Sequence, residues 1–127
     1  MTVTPTLTQE VDQLHAELCA ALADPRRIVM LYALAERPRN VGDLAAELRL
    51  AQPAVSRHLK LLRERGLVRA VRQGANVEYS LTDERLIQAL DLLRAVLRDR
   101  FIHHANIMEG DVLVAEDRKP LPDETGG

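Results

Sequence analysis

Apolar residues recur at helical spacing in four separate stretches before residue 66. Val11, Leu14, Leu18, Ala21 and Leu22 form the first stripe, on a helix that Thr6 or Thr8 is placed to cap and that ends near Ala23. Asp24-Pro25 is a capping residue followed by proline at the first helical position, where the missing N–H costs nothing, so a second helix runs from Pro25 to about Glu36. Ile28, Leu31, Tyr32 and Ala35 are its expected buried side. Arg37-Pro38-Arg39 interrupts the pattern, and Asn40, with Asp43 three residues on, caps a short third helix through Leu48 that turns Leu44 and Leu48 inward. After Arg49-Leu50-Ala51, Gln52-Pro53 opens a fourth helix with Val55, Leu59 and Leu62 as its core stripe, and Gly66 stops it.

The period then changes. Leu67 to Arg72 and Val77 to Leu81 read as two strands around Gln73-Gly74-Ala75-Asn76, whose Gly and Asn tolerate the positive φ of a tight turn. Thr82-Asp83-Glu84 caps a last, long helix carrying Leu86, Leu90, Leu93, Leu97 and Phe101 on one side and continuing to about Met108. The expected class is mainly α with a small β-hairpin, in the order α-α-α-α-β-β-α. Two short helices joined by about three residues, the second strongly basic, meet the requirement of a helix-turn-helix, and the hairpin behind them is its wing. The expected organisation is a flexible N-terminus over 1–7, one winged helix-turn-helix domain over 8–109, and an acidic, disordered tail over 110–127.

The net charge of −2 says little about partners, but its distribution does. From Arg49 to Arg72 stand seven cations (Arg49, Arg57, Lys60, Arg63, Arg65, Arg69, Arg72) against one anion, Glu64, while Glu10, Asp12, Glu17, Asp24 and the tail carry acid. One basic face on an otherwise acidic chain is an electrostatic footprint for nucleic acid. With Val55, Leu59 and Leu62 turned to the core, Pro53, Ser56, Arg57 and Lys60 project outward from the fourth helix. Gln52, Ser56 and Arg57 have the donors and acceptors that base edges demand, since arginine pairs bidentately with guanine and glutamine with adenine. Lys60 and Arg63 suit phosphates, and Arg69, Arg72, Gln73 and Asn76 on the wing suit the backbone or a narrow flanking minor groove. His58 lies beside the core stripe, where packing or a phosphate contact fits it better than base reading.

Leu22-Ala23-Asp24-Pro25-Arg26-Arg27, Val41-Gly42-Asp43-Leu44-Ala45, Gln52-Pro53-Ala54-Val55-Ser56-Arg57-His58-Leu59-Lys60, Gly66-Leu67-Val68 and Arg72-Gln73-Gly74 together resemble the ArsR/SmtB family of bacterial repressors, over roughly Leu18 to Met108. The resemblance implies a homodimer through the first and last helices that represses from a palindromic double-stranded DNA operator until an effector releases it. Ala51 departs from the family, which often has Ser or Thr there as cap of the recognition helix and as a phosphate contact.

Many members of that family sense metals, and Ile102-His103-His104-Ala105-Asn106 resembles the end of the site that zinc, nickel and cobalt sensors build on the last helix. The family pattern is Asp-x-His, ten residues, then His-x-x-His or Glu. Aligned on His104, it places Asp91 on the Asp but Leu93 and Ile107 on two of the other ligands. One carboxylate and one imidazole fall short of the three or four donors zinc requires. Either these are remnants of a site that now only hydrogen-bond at a dimer interface, or a rebuilt set, Asp91 and His104 with His15 or His103, takes nickel or zinc. Val41 to Leu48 contains no cysteine, which removes the family's thiol site, and Cys19, the only cysteine, is expected to be a small buried helix residue.

No run of about 18 or more apolar residues is present, so a soluble, cytoplasmic protein without a membrane partner is expected. No nucleophile, base and orienting group stand at usable spacing and no Gly-rich phosphate loop occurs, so an enzyme is not expected. The competing reading is a winged helix that docks on proteins, because fold alone does not give function.

Overall fold

The computed structural model describes the backbone of residues 3–116 and side chains as far as residue 104. The elements are α1 (Pro5–Leu14), a π-helical segment (His15–Cys19) continuing it, α2 (Pro25–Glu36), α3 (Val41–Leu48), α4 (Gln52–Glu64), β1 (Val68–Gln73), β2 (Asn76–Leu81) and α5 (Arg85–Glu116). Two compact units meet in sequence between Ile87 and Gln88. The first holds α1 to β2 and the opening residues of α5, and the second is the rest of α5.

The helix starts follow local chemistry. Asp24 accepts from the Arg26 N–H at 2.9 Å, and Asn40 from the Asp43 N–H at 2.7 Å, as their positions before the apolar stripes predict. For α1 the expectation fails: Thr4, not Thr6 or Thr8, is the cap, its hydroxyl accepting from the Leu7 N–H at 3.0 Å, with Pro5 as the first helical residue. Helix therefore begins within residues 1–7, the stretch expected to be a flexible N-terminus. At the other end α5 continues to Glu116, past Met108 and into the first part of the expected tail. The remainder of that tail, residues 117–127, lies outside the described residues.

Met30, Leu31, Leu44, Val55, Leu59 and Leu62 are wholly buried, with Leu34, Leu67, Val68 and Leu81 close behind. Full burial of each such side chain stabilises the fold by roughly 1.5–3 kcal/mol. On α2 the buried set is Met30, Leu31, Ala33 and Leu34 rather than a stripe on Ile28, Tyr32 and Ala35, which are only half-buried. A single stripe fails there because α2 packs against α3, α4 and β2 at once.

β1 and β2 pair antiparallel with Gln73 opposite Asn76, so the turn is the two residues Gly74-Ala75. Gly74 takes φ 63° and, among the described residues, Arg49 is the only non-glycine with positive φ, so Asn76 begins β2 instead of helping to make the turn. Positive φ at the first turn residue alone is the sign pattern of a type II′ hairpin, whose twist matches the strands it joins. Gly66, at φ 76°, ends α4. Thr82 fixes the base of the hairpin to that helix end, its hydroxyl donating to the Gly66 carbonyl at 2.8 Å and its N–H to Leu67 at 3.2 Å. The first unit is a winged helix-turn-helix.

Candidate nucleic-acid interface

α4 has two sharply different sides. Val55, Leu59 and Leu62 are wholly buried, whereas Gln52, Pro53, Ser56, Arg57, Lys60 and Arg63 are all exposed. The core stripe thus fixes the rotation of the helix about its axis and leaves one polar, cationic side open. Ala51 caps α4 without a side-chain hydrogen bond; only its carbonyl serves, accepting from Ala54 and Val55 at 3.0 and 3.1 Å. α3 ends in a left-handed residue, Arg49 (φ 57°, ψ 46°), and the Leu50 N–H closes the turn on the Ala45 carbonyl at 3.0 Å.

His58 does not belong with the outward residues. Its Nδ1 lies 3.3 Å from the Arg27 guanidinium and its Nε2 3.9 Å from the Asp24 carboxylate, both at the start of α2. A guanidinium has no lone pair to offer, so Nδ1 must accept and the ring's proton sits on Nε2, toward Asp24. Burial lowers the pKa of His58 against the opposing pull of Asp24, and Arg26, Arg27 and Arg57 add to the lowering, so the ring is neutral. Arg27 also donates to the carbonyls of Ala21 at 2.6 Å and Ala20 at 3.4 Å. Arg65, counted above among the cations of the basic stretch, donates to the Ala16 carbonyl in the π-helical segment at 3.3 Å. Two arginines and one histidine therefore hold α4 to the end of the first helix and are spent on that task.

On the wing, Arg69, Arg72, Gln73 and Asn76 are exposed. Arg69 pairs with Ser80 and donates to its hydroxyl at 3.2 Å, and Arg72 pairs with Val77. Three residues apart on one strand, Arg69 and Arg72 project from opposite faces, and Arg72 shares its face with half-buried Ala70 and buried Val68. They do not form one cationic clamp.

Arg39 is a structural support that the sequence pattern does not single out. Its backbone exchanges hydrogen bonds with Tyr79 of β2 at 3.0 and 2.8 Å, adding a single rung beside the hairpin. Its side chain is 3% exposed and ion-paired to Glu36 at 3.3 Å and to Glu47 of α3. Nothing local separates Arg39 from Arg37; a glutamate three residues before it is the only sequence hint.

Among the described residues of the chain no three His, Cys, Asp or Glu side chains are placed to hold an ion. Asp91 accepts from Arg94 at 3.5 Å, His103 and His104 are exposed on α5, and His15 and Cys19 lie in the π-helical segment, where Cys19 is exposed and not buried as expected, because it falls on the open side of that helix. The donors described on one chain do not fit a zinc or nickel centre.

No described helix is long and apolar enough to cross a membrane. Residues 24–70 match the family described as bacterial regulatory protein, arsR family. The transcriptional repressor SmtB homolog of a Synechocystis strain is 44% identical over 75 residues, 59% of this chain and 57% of its own length. The HTH-type transcriptional regulator CmtR of Mycobacterium tuberculosis is 46% identical over 83 residues, 65% of this chain and 70% of the relative. Among solved structures, a homodimeric winged helix-turn-helix DNA-binding domain from Mycobacterium bovis superposes with a TM-score of 0.68 at 28% identity, covering 80% of this chain and 94% of that one. With this fold, this open side of α4 and these relatives, the chain belongs to the arsR family of bacterial regulatory proteins.

Proposed function

We propose that the protein is a homodimeric transcriptional repressor that binds a palindromic DNA operator in the cytoplasm and is released by an effector. The observation that carries this reading is the division of α4 into a wholly buried stripe and an exposed side bearing Gln52, Ser56, Arg57 and Lys60. That helix enters the major groove, with Gln52, Ser56 and Arg57 on base edges, Lys60 and Arg63 on phosphates, and the wing tip, Arg72, Gln73 and Asn76, on the flanking backbone.

The homodimer reading is supported by α5, where Leu92, Leu93, Val96, Leu97, Phe101 and Ile102 are each more than half exposed. A second copy of α5 covers such a face symmetrically, and the homodimeric Mycobacterium bovis domain is a precedent. A nickel- or zinc-responsive form of this repressor has to draw its donors, Asp91, His103, His104 and His15, from two chains.

Titration of duplex DNA across a range of salt tests the reading. Several phosphate contacts make log affinity fall linearly and steeply with log salt, by about 0.9 per contact, and a flat response contradicts DNA binding by this face.

A further inference from the structure

Arg49 sits in the left-handed region at φ 57° and ψ 46°, the one described non-glycine residue with positive φ. Glycine takes that conformation without steric cost, whereas any residue with a Cβ is strained in it. The turn needs the conformation, because it directs the Leu50 N–H back to the Ala45 carbonyl, which the Arg49 N–H already meets as in a regular helix. It has no need of the side chain: Arg49 is exposed and its guanidinium makes no ion pair or hydrogen bond with any described residue. The neighbouring acid Glu47 is engaged by Arg39. A strained residue with an unneutralised cation, three positions before the first residue of α4, points to a task outside the chain.

Resting on the DNA-binding reading above, we infer that Arg49 is an additional phosphate contact, which anchors the turn between α3 and α4 to the DNA backbone. It restores at this turn the contact that Ala51, lacking a hydroxyl, does not make. Arginine is suited to the role because its charge is permanent and its planar fork matches a phosphate. The contact carries no sequence information and strengthens binding to every duplex alike.

The test compares the full chain with Arg49→Gly and Arg49→Lys on an operator and a scrambled duplex over a salt series. Glycine suits the backbone, so Arg49→Gly stays folded, with a thermal midpoint no lower than the parent's. Its affinity falls about fivefold on both duplexes near physiological salt, and the salt slope drops by about 0.9. Arg49→Lys keeps the charge and stays within about twofold of the parent. Unchanged affinity and slope in Arg49→Gly overturns the inference, as does an equal loss in Arg49→Lys. A parent chain that itself binds no duplex in a salt-dependent way brings down the DNA-binding reading, and this inference with it.

Discussion

Arg27 on α2 places one guanidinium nitrogen 3.3 Å from Nδ1 of His58 on α4. Through the same guanidinium it reaches the Ala20 and Ala21 carbonyls at the end of the first helix. One side chain thus joins three helices, and the exposed side of α4 inherits its angle from that junction.

Arg27→Met keeps the apolar stem and removes every one of these bonds. Because they are charge-assisted, the variant is expected to lose about 1.5–3 kcal/mol of stability in urea denaturation, with weaker DNA binding from a less firmly held α4. A loss under about 0.5 kcal/mol contradicts the strut.

Acid destabilises the fold in two stages. His58 is held below its ordinary 6.5 by burial, so the unfolded chain takes up a proton that the folded chain refuses. Stability is complete above that value and declines as pH falls below it. Asp83, drawn down to about 2 by the Arg85 side chain and N–H, and Asp24, held well below the carboxylate range by Arg26, act lower. Their contribution is present above the unfolded value of 3.8 and is lost as pH falls toward the folded values. Urea midpoints of His58→Gln are expected to change less than the parent's between pH 7.5 and 5.5, and those of Asp83→Asn less between pH 5 and 3. An undiminished drop in either variant sinks that assignment.

Leu97, 52% exposed on α5, is a place to test the dimer. Burying a carboxylate there at an interface is strongly unfavourable, so Leu97→Glu is expected to sediment as a monomer while the parent sediments as a dimer. Operator affinity then falls at least about tenfold, since one half-site is read in place of two. A variant that remains dimeric places the interface elsewhere.

Much of the first unit was legible in the sequence because helix-ending chemistry is local. Pro25, Asn40, Pro53 and Gly66 mark helix ends by their own backbone chemistry, and the α4 stripe told inside from outside. His58 was not legible: helical angles place it beside the stripe, but Asp24 and Arg27 arrive from another helix. Arg39 was hidden for the same reason, its partners Tyr79 and Glu47 being distant in sequence. The opposite faces of Arg69 and Arg72 follow from strand alternation over their three-residue spacing and were legible in the sequence. On α5, periodicity reports that Leu93, Leu97 and Phe101 share a side but not what covers it.

If α4 reads bases with its N-terminal half and holds phosphates beyond it, Arg57→Ala and Lys60→Ala must differ in kind. Both are measured against the operator and a panel of single-base variants. Arg57→Ala is expected to lose discrimination of about 1–3 kcal/mol at one base position, whereas Lys60→Ala weakens every duplex alike and lowers the salt slope by about 0.9. Unchanged affinity and unchanged base preference in both variants contradict that reading of α4.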